Sequence, residues 1–155
     1  MNQRIYKLDK LAPLTLVNGK LRRATSADIE FLGKWLEDFT KEAMPGTSHG
    51  SIEKVVTDYI HSGSLYIWED EVAVSMVRKA RPSTNGVVIN SVFTPIEFRK
   101  RGYASSCVHT FSKMLLEEYK FCSLYTDLSN PTSNNIYQKI GFRPIADSTF
   151  VKFIY

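Results

Sequence analysis

Three consecutive cations, Arg99, Lys100 and Arg101, stand immediately before Gly102 at the start of a predicted helix. The first backbone N–H groups of a helix lack intrahelical partners and carry a partial positive charge. Gly102 and Ala104 present little side chain, so an anion can approach these amides. The segment predicts a phosphate or pyrophosphate site, and the alternative is a solvated basic helix start with a packing glycine. It has neither the glycine spacing of a dinucleotide fingerprint nor that of a P-loop.

A second candidate is the phenol of Tyr137, which lies two turns into a short predicted helix. Asn130 is a good N-cap, Pro131 suits the first helical position, and Gly141 suits a left-handed C-cap. One face of that helix carries Ser133, Ile136, Tyr137 and Ile140. The alternative for Tyr137 is an ordinary half-buried core aromatic residue.

The cysteines and histidines do not have the spacing of a metal site, and no metal is predicted. Cys107 falls in a predicted helix and Cys122 in a predicted strand. Both are expected to be small buried hydrophobic residues of a reduced, cytoplasmic protein. His49 lies in a loop, His61 ends a helix, and His109 is expected to be exposed on the long helix.

The hydrophobic pattern predicts the elements that must position these residues. Strands are predicted over residues 21–24, 64–69, 71–79, 86–94, 121–127, 142–145 and 150–155. Helices are predicted over residues 26–43, 51–61, 102–119 and 130–140. Antiparallel hairpins followed by a β-α-β crossover indicate an α+β protein. We expect a mixed, mostly antiparallel central sheet with helices on both faces.

Composition is that of a globular domain rather than a disordered or membrane-spanning chain. The 155 residues include 20 Lys+Arg against 16 Asp+Glu, and 43% are hydrophobic. No apolar stretch approaches the ~20 residues of a membrane span, and residues 1–4 lead into no secretory signal. We expect an N-terminal lead-in over residues 1–19 and a single domain over residues 20–155.

Two motifs in this order resemble the signatures of the GNAT superfamily of acyl-CoA-dependent N-acetyltransferases. The first signature, Gln/Arg-x-x-Gly-x-Gly/Ala, is matched by Arg99, Gly102 and Ala104. The second, an Asn seven residues before a Tyr that is followed by Gly-Phe, is matched by Asn130, Tyr137 and Gly141-Phe142. The residues around both motifs also resemble the C-terminal half of tandem-type predicted acetyltransferases. The resemblance covers residues 20–155 and is specific over residues 86–142.

The resemblance implies acetyl-CoA as cosubstrate and assigns roles to particular residues. The backbone of Val92, Phe93 and Thr94 would pair with the pantetheine arm, where this strand diverges from the strand over residues 121–127. The pyrophosphate would be held by a group of loop and helix-start residues: Arg99, Lys100, Arg101, Gly102, Tyr103, Ala104 and Ser105. Asn130 would bind the cofactor arm, and Tyr137 would face its sulfur as the catalytic acid.

The reaction implied is direct attack of an amine on a thioester in a ternary complex. An alkyl amine has a pKa near ~10.4 and must lose a proton first. The strand over residues 86–94 carries no carboxylate. Asp127 is the nearest candidate base, with a strand-end cap as the alternative, and Glu97 is expected to pair with an arginine.

The acceptor is expected to be a small-molecule or peptide amine, bound by a monomer or homodimer. The first predicted helix carries Trp35, Phe39 and Glu42, and an aromatic wall with a carboxylate would suit an amine. The alternative is that Trp35 and Phe39 are core residues and that Glu42 is solvated. A non-catalytic acyl-CoA-binding or partner-binding module is the alternative function. A nucleic-acid partner is not expected, because the net charge is +4 and no aromatic residues interleave the cations.

Overall fold

The computed structural model describes residues 2–43, 46, 50–127 and 131–149. The strands are β1 (Asn2–Leu8), β2 (Lys20–Arg23), β3 (Leu65–Asp70), β4 (Val72–Ala80), β5 (Gly86–Phe93), β6 (Phe121–Asp127) and β7 (Arg143–Thr149). The helices are α1 (Ile29–Ala43), α2 (Ile52–His61), α3 (Tyr103–Leu116) and α4 (Pro131–Ile140). These bounds confirm the predicted elements after residue 20 to within a few residues. The predicted strand over residues 150–155 lies outside the described residues.

The strands form one sheet in the order β2-β3-β4-β5-β6-β1-β7. The pairing of β5 with β6 is parallel, and the other five pairings are antiparallel. Helix α3 is the crossover that a parallel neighbour requires. The predicted mixed, mostly antiparallel sheet is therefore confirmed.

Strand β1 is the largest difference from the sequence analysis. It lies between β6 and β7, with Gln3 opposite Asp127 and Leu8 opposite Cys122. Tyr6 and Leu8 are fully buried. The sequence analysis assigned no strand to the N-terminal lead-in, whereas residues 2–8 form an interior strand of the sheet. The domain boundary expected after residue 19 stays a prediction.

Helices cover both faces of the sheet, as predicted. On one face, α3 and α4 bury Cys107, Phe111 and Ile140 against the sheet. On the other face, α1 and α2 bury a second apolar cluster that includes Leu32 and Val56. In the described part of the chain, no helix is long and apolar enough to cross a membrane.

Residues 9–19, called here the connecting segment, run from β1 past the helices α4 and α3 to β2. The Ala12 N–H donates to the Ile140 carbonyl at the end of α4 (2.8 Å), and the Ala12 carbonyl lies 3.1 Å from His109 Nε2 on α3. The Val17 N–H donates to Ser106 Oγ near the start of α3 (3.0 Å). The expectation that His109 is exposed was wrong, because the connecting segment half-buries it.

Candidate active site

Strands β5 and β6 part within the sheet, and this parting defines the candidate site. They pair at Gly86–Phe121, Val87–Cys122 and Val88–Ser123, and no further pairing between them is seen in the described residues. Beyond Val88, the edge of β5 that faces β6 therefore has no strand partner. Backbone N–H and C=O groups in such a gap suit an extended ligand that carries amides. The divergence expected from the resemblance is present.

A β-bulge shapes the end of β5. Met76 of β4 lies opposite Phe93, whereas Arg78 lies opposite Asn90, so β5 has one extra residue between these pairs. Ser91 takes up the extra length with a left-handed φ of 51°. Bulges redirect side chains and end pairing, and they recur beside active sites.

The predicted pantetheine-binding residues Val92, Phe93 and Thr94 lie beyond this bulge, at the gap. The Phe93 carbonyl accepts a hydrogen bond from Ser75 Oγ (3.1 Å), and the Thr94 carbonyl accepts one from Arg99 Nε (2.7 Å). These two carbonyls are therefore engaged by the chain itself.

The start of α3 has the open amides that the sequence analysis predicted. Its first helical hydrogen bond runs from the Ser106 N–H to the Gly102 carbonyl (3.1 Å). The N–H groups of residues 103–105 therefore have no acceptor within the helix. The N-cap, Gly102, provides no side-chain cap, and Lys100 and Gly102 have φ values of 64° and 83°. Left-handed residues in such loops turn successive N–H groups into an anion-binding concavity.

The cations before α3 do not all face this concavity. Arg99 Nη2 binds both carboxylate oxygens of Glu42 on α1 (2.8 and 2.9 Å), and its guanidinium lies 5.6 Å from the Phe93 ring centre. Lys100 and Arg101 are exposed. Arg99 thus ties the end of α1 to the end of β5.

Tyr103 and Ser105 occupy the first turn of α3 and are both partly buried. The Tyr103 hydroxyl donates to Asp70 (2.6 Å), which raises the pKa of the phenol. The side chain of Tyr103 therefore anchors α3 to β3, and its backbone amide remains among the open ones.

Both signature glycines contact the connecting segment. A Cβ atom on Gly102 would lie 2.8 Å from Val17 Cγ1. A Cβ atom on Gly141, whose φ is 117°, would lie 2.8 Å from the Lys10 carbonyl oxygen. Glycine is required at both positions by the chain's own packing, a reason that the sequence analysis did not give.

Tyr137 lies on α4 and is buried, with 9% of its surface exposed. Burial raises the pKa of its phenol well above the ordinary value. Its ring packs 6.4 Å from that of Tyr6 and 5.9 Å from that of Phe142. No hydrogen bond within the described part of the chain occupies its hydroxyl. The phenol is therefore a neutral potential donor.

A buried polar network at Asn134 was missed by the sequence analysis. Asn134 Oδ1 accepts hydrogen bonds from the hydroxyls of Tyr6 (2.8 Å) and Thr126 (2.7 Å). The network joins β1 and β6 to α4, the helix of Tyr137. Its partners lie 128 and 8 residues away, so no local spacing pattern could have indicated it. The predicted cofactor-binding Asn130 lies outside the described residues.

The residues considered for the acceptor side lie on α1 and β6. The rings of Trp35 and Phe39 each lie 6.4 Å from that of Phe93, so both pack against the end of β5. Asp127, the candidate base, is partly buried and has interaction partners. No cluster of potential metal ligands occurs in the ranges that the structure describes.

The sequence matches the family model described as FR47-like protein over residues 72–151, which is 80 of its 155 residues. No curated protein has a sequence that matches.

Similar solved structures share the fold. An acetyltransferase of the GNAT family from Colwellia psychrerythraea aligns with a TM-score of 0.73 and 14% identity, over 94% of this chain and 53% of that one. A GNAT-family acetyltransferase from Bacillus anthracis aligns with a TM-score of 0.66 and 17% identity, over 83% and 84%.

The aminoglycoside N-acetyltransferase AAC(6')-Iy, in complex with the bisubstrate analogue CoA-S-monomethyl-acetylneamine, aligns with a TM-score of 0.69 and 15% identity. That alignment covers 90% of this chain and all of the other. This chain spans about half the length of the Colwellia protein (53%).

Proposed function

Since the chain belongs to the FR47-like family and has the fold of GNAT acetyltransferases, we propose that it transfers an acetyl group from acetyl-CoA to a primary amine. The observation that carries this proposal is the parting of β5 from β6 beyond Val88, next to the open amides of α3. A long ligand with amides at one end and a diphosphate at the other matches both features.

The proposed binding residues follow from this placement. The free edge of β5 around Val92 and Phe93 would pair with the amides of the pantetheine arm. The amides of residues 101–105 would hold the diphosphate, with Lys100 and Arg101 adding formal charge. The Arg99 guanidinium is engaged by Glu42, so we propose that Arg99 acts by holding the loop at the end of β5. Asn130 stays a proposed contact of the arm.

Acetyl-CoA supplies an activated acyl thioester and a thiol leaving group. The Tyr137 hydroxyl, which burial keeps protonated, would donate a proton to the departing sulfur. Holding both reactants at the end of β5 would lower the entropic part of the activation barrier. Such positioning contributes several kcal/mol, and up to ~7–11 kcal/mol in well-oriented systems. A backbone N–H near Phe93 would stabilise negative charge on the carbonyl oxygen.

The acceptor amine must be deprotonated before it attacks. β5 carries no Asp or Glu, and Glu42 is paired with Arg99. Asp127, at the end of β6 beside the gap, stays the proposed base, acting directly or through water. Replacement of Asp127 by Asn should then lower kcat more at pH 7 than at pH 9, where more of the amine is already neutral.

Coenzyme binding and turnover test the proposal separately. Calorimetry with CoA should show binding. Release of free thiol from acetyl-CoA with a panel of amines should show turnover. Tyr137→Phe should lower kcat by ~100-fold and leave CoA affinity nearly unchanged. Tyr125→Phe is the matched control, since Tyr125 is 47% exposed on β6.

A non-catalytic acyl-CoA-binding or partner-binding module is the second candidate, favoured by the lack of a carboxylate on β5. It predicts CoA binding without turnover on any amine and no effect of Tyr137→Phe. The cytoplasmic location and the monomeric or dimeric state stay predictions, which fractionation and light scattering would test.

A further inference from the structure

Arg78 of β4 is a partly buried cation. It has no ion-pair partner in the described part of the chain. Its guanidinium lies 3.7 Å from the ring centre of Tyr59 on α2. Nε donates to Ser64 Oγ (3.3 Å) and Nη1 to Asn90 Oδ1 (3.5 Å). A guanidinium has five N–H donors, and three of them have no hydrogen-bond partner among the described residues.

The surroundings do not neutralise this charge. Burial lowers the pKa of Arg78, Tyr59 acts in the opposite direction, and the nearby Arg81 lowers the pKa further. Asp58, next to Tyr59 in sequence, binds Lys54 instead (3.3 Å). Taking a charged group out of water is unfavourable unless an opposite charge accompanies it. An external anion is therefore the partner that this position lacks.

Arg78 also lies beside the candidate site. It lies opposite Asn90 of β5. Asn90 immediately precedes the bulge at Ser91 and is three residues before Phe93. Its contact with Tyr59 places the guanidinium on the face of the sheet that α1 and α2 cover. The coenzyme would lie along the gap between β5 and β6, and Arg78 flanks this gap from the neighbouring strand β4.

We infer that the acceptor amine carries a carboxylate and that Arg78 binds it. This inference rests on the proposed acetyl transfer. A carboxylate accepts two parallel hydrogen bonds from a guanidinium and supplies the missing negative charge. The side chain of Asn90 is a polar neighbour at the same site. Arg78 would thereby select amino-acid-like acceptors over uncharged amines.

Acceptors in matched pairs test the inference: glycine with glycinamide, β-alanine with β-alaninamide, and phenylalanine with phenylalaninamide. The wild type should favour the acid of each pair. Arg78→Gln should raise the KM of the acids by about 10–100-fold, with little change for the amides or for acetyl-CoA. Arg81→Gln, which removes an exposed neighbouring cation, should leave the preference intact.

A purely structural role for Arg78 makes a different prediction. Ser64 Oγ also donates to the Tyr59 carbonyl in the last turn of α2 (3.2 Å), so Arg78 would then act as a clamp on that helix end. Arg78→Gln would lower the thermal midpoint and leave the acid-to-amide KM ratio unchanged, which overturns the inference. If Arg78→Gln does not fold, Arg78→Lys keeps the charge without the planar fork, and it should raise the KM of the acids selectively.

Separate outcomes distinguish the two proposals. If CoA binds but the amides are acetylated as efficiently as the acids, the inference is wrong. It is also wrong if no acid is acetylated and no acid competes with an accepted amine. In both cases the proposed function is judged by its own tests. If calorimetry detects no CoA binding, both proposals are wrong.

Discussion

Tyr137 is buried, and its hydroxyl makes no hydrogen bond with any described residue. This combination suits a proton donor. Burial raises its phenol pKa above the ordinary value of about 10. The phenol therefore stays protonated throughout the range in which an amine becomes neutral. The acid and the nucleophile can then coexist above pH 8.

The pH dependence of turnover checks this role. Below about pH 10 the phenol is protonated in both folded and unfolded chains, so it adds no pH-dependent stability there. Above about pH 10 only the unfolded phenol ionises, and stability falls as pH rises. We expect kcat to show no alkaline decline between pH 7 and 10 that depends on Tyr137. An alkaline limb with an apparent pKa under 9 that vanishes in Tyr137→Phe would contradict this.

The two cysteines should be chemically inert in the native protein. Burial raises the pKa of the Cys107 and Cys122 thiols to about 12, and the thiolate is the reactive form. We expect iodoacetamide at pH 8 to label neither residue in the folded chain and both in 6 M guanidinium chloride, as read by mass spectrometry. Rapid labelling of the folded chain would show that these sites are accessible.

At the scale of elements, the start of α3 depends on the connecting segment. Gly102 has a φ of 83°, and its Cβ position meets Val17. Gly46 has a φ of 82°, and no atom of the described residues lies within 4 Å of its Cβ position. The two glycines therefore separate the backbone effect from the packing effect.

Gly102→Ala and Gly46→Ala should both destabilise the fold by about 1–2 kcal/mol through the left-handed conformation. Gly102→Ala should cost about 1–3 kcal/mol more because of the contact with Val17. Urea unfolding measures both variants. Val17→Ala in the Gly102→Ala background should recover part of the extra loss, and an equal effect of the two glycine variants would argue against the Val17 contact.

The whole molecule depends on β1, because this strand closes the gap between β6 and β7. Leu8 is fully buried in β1, whereas Leu16 in the connecting segment is 44% exposed. Leu8→Ala should lower the free energy of unfolding by about 2–5 kcal/mol, and Leu16→Ala by about 0.5 kcal/mol or less. Similar values for both in chemical denaturation would mean that β1 is not an interior strand.

Most of the helices and strands were predictable because their signals are local. The Asn130-Pro131 start and the Gly141 stop bound α4, and the run of apolar residues from Val87 marks β5. The order of motifs along the chain also placed the candidate site at the end of β5 and the start of α3. Strand β1 was missed because Ile5, Tyr6 and Leu8 form too short a pattern to predict a strand on their own.

The sequence by itself determined the family resemblance, the elements after residue 20 and the open helix start, since each depends on residues close together in the chain. Only the tertiary structure decided where β1 inserts, that Arg99 binds Glu42, and that Arg78 packs on Tyr59 with no ion-pair partner among the described residues. Pairing partners of strands and charges are chosen across tens of residues. Their identity depends on which groups the fold brings within hydrogen-bonding distance, and the spacing of residues along one element does not contain that information.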